Sequence, residues 1–194
     1  MPAEPLRILI ADDESIRLLS LRAQLQALGH RVVAEASNGQ EALVLAKATR
    51  PDLAIMDIKM PMVDGIEAAE RMTQERPIPI ILLTAYSETE LVERAAQANV
   101  AAYLMKPVAA EDLLPAITLA LTRFRQFEAL HREVEDLREA LETRKLVERA
   151  KGILMRRLGL NEDEAFRRLQ KQSQDTNRRL AEVAQAIVTA DQML

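Results

Sequence analysis

Five short apolar runs, each followed by a stretch of helical length, constrain this chain more than any other feature. They occupy residues 6–11, 32–36, 53–56, 78–84 and 101–105. Strands apolar along their whole length are buried on both faces, and strand–helix alternation builds a parallel sheet covered on both sides. Between the first two runs, Ile16, Leu19, Leu21, Leu25 and Leu28 recur at helical spacing, and Gly29 ends that helix. Gly39 precedes a second helix with Ala42, Leu43 and Leu45, which Pro51 stops. The pattern predicts an α/β fold, a doubly wound five-stranded parallel sheet with five interleaved helices. In such sheets a site lies beyond the carboxyl ends of the strands.

Beyond Ala110 the pattern is helical without strands, and Pro115 falls early enough in it to be tolerated. Phe127, Leu130, Val134, Leu137 and Leu141 alternate steps of three and four among charged residues. That is a short coiled-coil seam, which needs a partner helix and predicts a homodimer. Gly159 closes the next helix. Asn161-Glu162-Asp163-Glu164 reads as an N-cap with a capping box, and Phe166, Leu169 and Ser173 then share a face. A last helix is expected from Thr176 or Asn177, carrying Leu180, Val183, Ala184, Ile187 and Val188. Residues 144–190 thus read as a small three-helix bundle.

Composition narrows the chemistry. The chain has no cysteine, which excludes disulfides, thiolate metal sites and thiol nucleophiles, and its two histidines, His30 and His131, lie far apart. No apolar run is long enough to span a bilayer and no signal-peptide core is present, so a cytoplasmic protein is expected. Charge is uneven. Residues 1–122 carry 11 basic and 17 acidic groups, whereas residues 144–179 carry 11 basic and 5 acidic. The asymmetry suggests that the C-terminal part meets a polyanion; a merely solvated helix surface is the competing explanation.

The strand ends carry a specific set of side chains. The first strand runs into Asp12-Asp13, the third ends at Asp57, the fourth at Thr84, and the fifth at Lys106-Pro107. Parallel geometry converges them on one edge. Crowded carboxylates repel unless a cation joins them, and oxygen ligands alone suit Mg²⁺. A lysine and a hydroxyl beside them suit the oxygens of a phosphoryl group, and one Asp can attack in line. Singly, an Asp-Asp pair is usually a helix cap and a Lys-Pro a turn. An aspartate-nucleophile phosphatase would want an acid two residues after the nucleophile, where Lys59 stands.

These residues, with the segment Ile55-Met56-Asp57-Ile58-Lys59-Met60-Pro61-Met62-Val63-Asp64-Gly65, closely resemble the receiver domain of two-component response regulators. The resemblance implies a flavodoxin-like receiver over residues 1–122. It makes Asp57 the phosphoacceptor from a sensor histidine kinase, and gives Mg²⁺ to Asp12, Asp13, Asp57 and the Lys59 backbone carbonyl. Thr84 and Tyr103 would be the switch pair, Lys106 the phosphate-sensing cation, and Pro107 would follow a cis bond. Asn99 replaces a glycine common before the last strand, and tolerates the same left-handed backbone.

Residues 123–143 then read as a coiled-coil linker helix and 144–194 as the output. There Ala150-Lys151-Gly152-Ile153-Leu154-Met155, Glu164-Ala165-Phe166 with Leu169, and Asn177, Leu180 and Val183-Ala184 resemble the ANTAR domain. Ser173 and Gln170-Lys171 depart from its common pattern. ANTAR domains are the RNA-binding output of transcription antitermination regulators, so RNA hairpins are the expected partner, bound by a dimer. Arg149, Lys151, Arg156, Arg157, Arg178 and Arg179 are the expected contacts, through phosphates rather than aromatic stacking. Gly152, in mid-helix, fits a close approach of backbone or nucleic acid. No enzyme is expected beyond transfer of phosphate onto the chain itself, and neither membrane nor DNA binding is expected. The alternative is a receiver-regulated dimerisation or protein-interaction module without nucleic-acid binding; a DNA-binding factor ranks third.

Overall fold

The computed structural model describes residues 4–85 and 100–192. The N-terminal unit is built on strands β1 (Arg7–Ala11), β2 (Arg31–Ala36), β3 (Leu53–Asp57), β4 (Ile80–Thr84) and β5 (Ala102–Met105). They form one parallel sheet in the order β2-β1-β3-β4-β5. Helices α1 (Ser15–Ala27), α2 (Gly39–Thr49) and α3 (Gly65–Glu75) follow the first three strands. The helix expected between β4 and β5, and Asn99, lie outside the described residues.

Alternation along each strand sorts the apolar side chains to the two faces. Leu9, Met56, Ile80 and Leu82 pack with Ala42, Leu43, Ile66, Ala69 and Met72 of α2 and α3. Ile8, Ile10, Leu53, Ile55, Ile81 and Leu83 pack with Leu21 and Leu25 of α1 and Leu113 and Ile117 further on. Each fully buried Leu or Ile contributes about 1.5–3 kcal/mol, so the continuous apolar runs are what hold the sheet between its helices. The helix stops fall where the residues require them. Gly29 takes φ 86° after α1 and Arg50 takes φ 47° after α2, just before Pro51.

A single helix, α4, runs from Ala110 to Leu158 and includes Pro115. The linker and the first helix of the expected bundle are therefore one element, and the chain divides into two compact units inside it, between Phe127 and Glu128. Along it Phe127, Leu130, Val134, Leu137 and Leu141 are between 37% and 63% exposed, an apolar stripe unusual for a solvated helix. No described helix is long and apolar enough to cross a membrane.

In the C-terminal unit, α4 contributes Val147, Ala150 and Ile153 to a core completed by Leu169 of α5 (Glu162–Thr176) and Val183, Ala184 and Val188 of α6 (Leu180–Gln192). Gly159 ends α4 at φ 68°. Asn161 caps α5 by accepting from the Glu164 N–H at 2.9 Å, and the Glu164 carboxylate accepts from the Asn161 N–H at 2.9 Å. The last helix starts later than expected. Asn177 sits at φ 51° as the C-terminal cap of α5, so Thr176-Asn177 ends one helix instead of starting the next. The sequence permits both roles because Asn caps either end; the turn is fixed by the Arg178 N–H donating to the Ser173 carbonyl at 3.1 Å and the Ser173 hydroxyl donating to the Arg178 carbonyl at 2.5 Å.

Candidate functional site

Register assembles the site. β1 runs directly into Asp12, β3 ends on Asp57, β4 on Thr84, and β5 passes into Lys106. Asp57 lies opposite Leu83, and Thr84 opposite Met105, so the four strand ends are level. β1 and β3 flank the point where the strand order reverses, the usual crevice of a doubly wound sheet. Carboxylate oxygens of Asp12, Asp13 and Asp57 all lie within 4.8 Å of one another, with Asp12 and Asp57 buried and Asp13 exposed. The Lys106 ammonium bridges the buried pair, 2.6 Å from Asp57 Oδ2 and 3.0 Å from Asp12 Oδ2.

Burial pushes the Asp57 carboxyl above the usual carboxylate range. The Lys106 hydrogen bond and charge oppose that rise, Asp12 adds to it, and the Lys59 backbone N–H donating to Asp57 lowers it again. Two neighbours were not anticipated. The Arg17 guanidinium stands 3.5 Å from Asp12 Oδ1, and the Glu14 N–H donates to that same oxygen at 2.9 Å. Arg17 lies five positions beyond Asp12, and the turn into α1 brings them together. Three carboxylates against the Lys106 ammonium and a peripheral guanidinium make an all-oxygen donor set that fits Mg²⁺.

The loop after β3 is held by glycine. A Cβ at Gly65 would run into the backbone carbonyl of Asp57, and the Gly65 N–H donates to the Ile58 carbonyl at 2.8 Å. Asp64 caps α3 by accepting from the Glu67 N–H at 2.7 Å. Thr84 is buried, with its hydroxyl donating to the Ala85 carbonyl at 3.2 Å. The Tyr103 hydroxyl is buried without a hydrogen-bond partner among the described residues, and burial pushes its pKa up. The Lys106–Pro107 bond is cis.

In the C-terminal unit the expected RNA-contacting cations fall into different environments. Arg149 is exposed and makes no ion pair among the described residues. Arg178 and Arg179 are exposed at the turn between α5 and α6. Arg157 is tied to Asp191 of α6 at 2.8 Å, and Arg156 lies 3.8 Å from the same carboxylate. Lys151 departs from its expected role. Its side chain is only 9% exposed, pairs with Glu148 at 2.9 Å and Glu162 at 2.7 Å, and lies over the Phe166 ring with 6.0 Å to the centroid. Those carboxylates hold the ammonium above its ordinary pKa. In this structure Lys151 fastens α5 to α4 instead of presenting a free cation. The i,i+3 spacing of Glu148 could have signalled one partner; Glu162 lies across a turn and gave no local signal.

Comparison with known proteins agrees with this geometry. Residues 8–118 match the family model described as response regulator receiver domain, and residues 135–188 match that of the ANTAR domain. The chain is 48% identical over 186 residues to the transcriptional regulatory protein PdtaR of Mycobacterium tuberculosis (strain H37Rv), covering 96% of this chain and 91% of that protein. Among solved structures, the signal receiver domain of a modulated diguanylate cyclase from Desulfovibrio desulfuricans G20 superposes with a TM-score of 0.60 at 35% identity. That match covers 63% of this chain and 98% of the other. A CheY-like response regulator receiver domain protein from Methanospirillum hungatei JF-1 gives 0.58 at 33% identity, covering 63% and 98%.

Proposed function

The chain belongs to the response regulators, joining a receiver domain to an ANTAR RNA-binding output, and we propose that phosphorylation of Asp57 controls its binding of RNA hairpins in transcription antitermination. Receiver domains are phosphorylated by histidine kinases and ANTAR domains bind RNA. The observation that carries the reading is the level placement of Asp12, Asp13, Asp57 and Lys106 at the strand ends of a chain whose other unit is an ANTAR domain.

The Asp57 carboxylate attacks the phosphorus of a kinase phosphohistidine. A P–O bond forms, the P–N bond breaks, and its electron pair leaves with the imidazole. Asp12, Asp13, Asp57 and the Lys59 carbonyl would hold Mg²⁺, which supplies charge neutralisation for the phosphoryl oxygens. Lys106, already on Asp57, stays beside the modified carboxylate and takes one oxygen; the Thr84 hydroxyl turns from the Ala85 carbonyl to another. The Tyr103 hydroxyl, buried without a partner among the described residues, follows Thr84. Residues 1–122 serve as the receiver, 123–143 as the pairing helix and 144–194 as the RNA-binding output. The exposed seam from Phe127 to Leu141 is where two copies join on activation, presenting paired outputs to paired hairpins.

The direct test is incorporation of phosphate from acetyl phosphate in the presence of Mg²⁺. The unchanged chain incorporates one phosphoryl group, whereas Asp57→Asn incorporates none; equal labelling of the variant refutes the assignment.

A further inference from the structure

Gly152 is the one helix-interior glycine in α4 whose presence the fold of its own unit leaves unexplained. A Cβ built there meets nothing within 4 Å. At Gly39 and Gly65, by contrast, a Cβ would run into the backbone carbonyls of Val63 and Asp57. Glycine is among the poorest helix formers, so an alanine at 152 would strengthen α4 without touching any neighbour. Bare backbone on a helix lets something come closer than a side chain allows.

The surroundings of Gly152 indicate what comes. Val147, Ala150 and Ile153 mark the side of α4 buried against α5 and α6. Helical spacing sets Gly152 on the opposite side, in one row with Lys145, Arg149 and Arg156 at offsets of seven, three and four residues. Arg149 and Arg156 are exposed; Arg149 has no carboxylate partner among the described residues, and Arg156 keeps only a long contact, 3.8 Å, with Asp191. Glu148 borders the row but is held by Lys151.

From this we infer that Gly152 is the point where the sugar-phosphate backbone of a bound RNA comes against α4, with Arg149 and Arg156 taking the flanking phosphates. The inference rests on the RNA-binding role of the output and adds its location and its reason. A second copy of the chain is the poorer occupant. A two-fold contact places the same patch on both sides, and here that sets arginines against arginines.

The test uses the full chain, a synthetic RNA carrying two hairpins, and the Gly152→Ala and Arg149→Ala variants. Gly152→Ala raises the unfolding midpoint by about 2–4 °C, from the helix preference of alanine over glycine in a chain of this size. The same variant weakens RNA binding at least tenfold, and Arg149→Ala weakens it as well. Gain of stability with loss of affinity is a combination that damage to the fold cannot produce. Unchanged affinity of Gly152→Ala, or a lowered midpoint, overturns the inference and leaves the RNA-binding role standing. Loss of self-association in sedimentation with the RNA affinity of the dimer unchanged also overturns it, assigning the face to a second copy. Failure of the unchanged chain to bind the RNA refutes both.

Discussion

His30 is buried where α1 turns into β2, away from the acidic strand ends. Its Nδ1 accepts from the Leu6 N–H at 3.4 Å, and its Nε2 is buried without a partner among the described residues. Burial therefore holds its pKa below the ordinary 6.5. The unfolded chain binds the proton at a higher pH than the folded one, so this residue's contribution to stability is complete above about pH 6.5 and is lost as pH falls from there through the lowered folded value. His30→Gln, which keeps an acceptor for Leu6 but cannot titrate, should be about 1 kcal/mol less stable than the unchanged chain at pH 7. Thermal unfolding at pH 7 and pH 5 measures the difference: the gap narrows in acid. A gap that stays constant shows that His30 is not desolvated. At this scale the acidic site was largely legible, because the sequence itself marks where each strand ends. The buried Tyr103 hydroxyl, without a partner among the described residues, and the Arg17 guanidinium beside Asp12 were not, since both depend on three-dimensional closeness and not on spacing.

At the scale of elements, the strands and most helix ends were legible for a simple reason. Residues apolar on both faces can only be buried strands here, and Gly29, Gly159 and the Asn161–Glu164 box are local chemistry that needs no tertiary context. The Asn177 turn and the continuation of α4 from the seam into the C-terminal bundle were harder to read, because a helix that changes its packing partners midway keeps no single apolar face. The Lys151 cluster is the main departure. It joins α4 to α5 by a two-carboxylate pairing over Phe166, so its removal acts on the bundle before it acts on any ligand. Lys151→Ala should lower the unfolding midpoint of the C-terminal unit by about 4 °C, and Glu162→Gln should lower it less. Arg149→Ala, exposed and without an ion-pair partner among the described residues, should leave the midpoint unchanged and reduce the slope of log affinity against log salt by about 1. Calorimetry and salt titration separate the two. A Lys151→Ala chain as stable as the original would make Lys151 a ligand contact after all.

At the scale of the whole molecule, one helix contributes Leu113 and Ile117 to the receiver core and Val147, Ala150 and Ile153 to the output core, with the exposed apolar seam between. A change at the strand ends therefore has a covalent route to the exposed seam along which pairing of two copies is proposed. Coupling energies between sites are typically 1–3 kcal/mol, or about 5–150-fold in affinity, which pairing along a short seam can supply. The claim that phosphate at Asp57 governs the output is tested most directly by titrating a two-hairpin RNA into the full chain before and after acetyl phosphate treatment in Mg²⁺. Sedimentation of the same samples reports assembly. RNA affinity should change at least fivefold together with the monomer–dimer balance, and Asp57→Asn should abolish both changes. Equal RNA affinity with and without phosphate on Asp57 would contradict the claim.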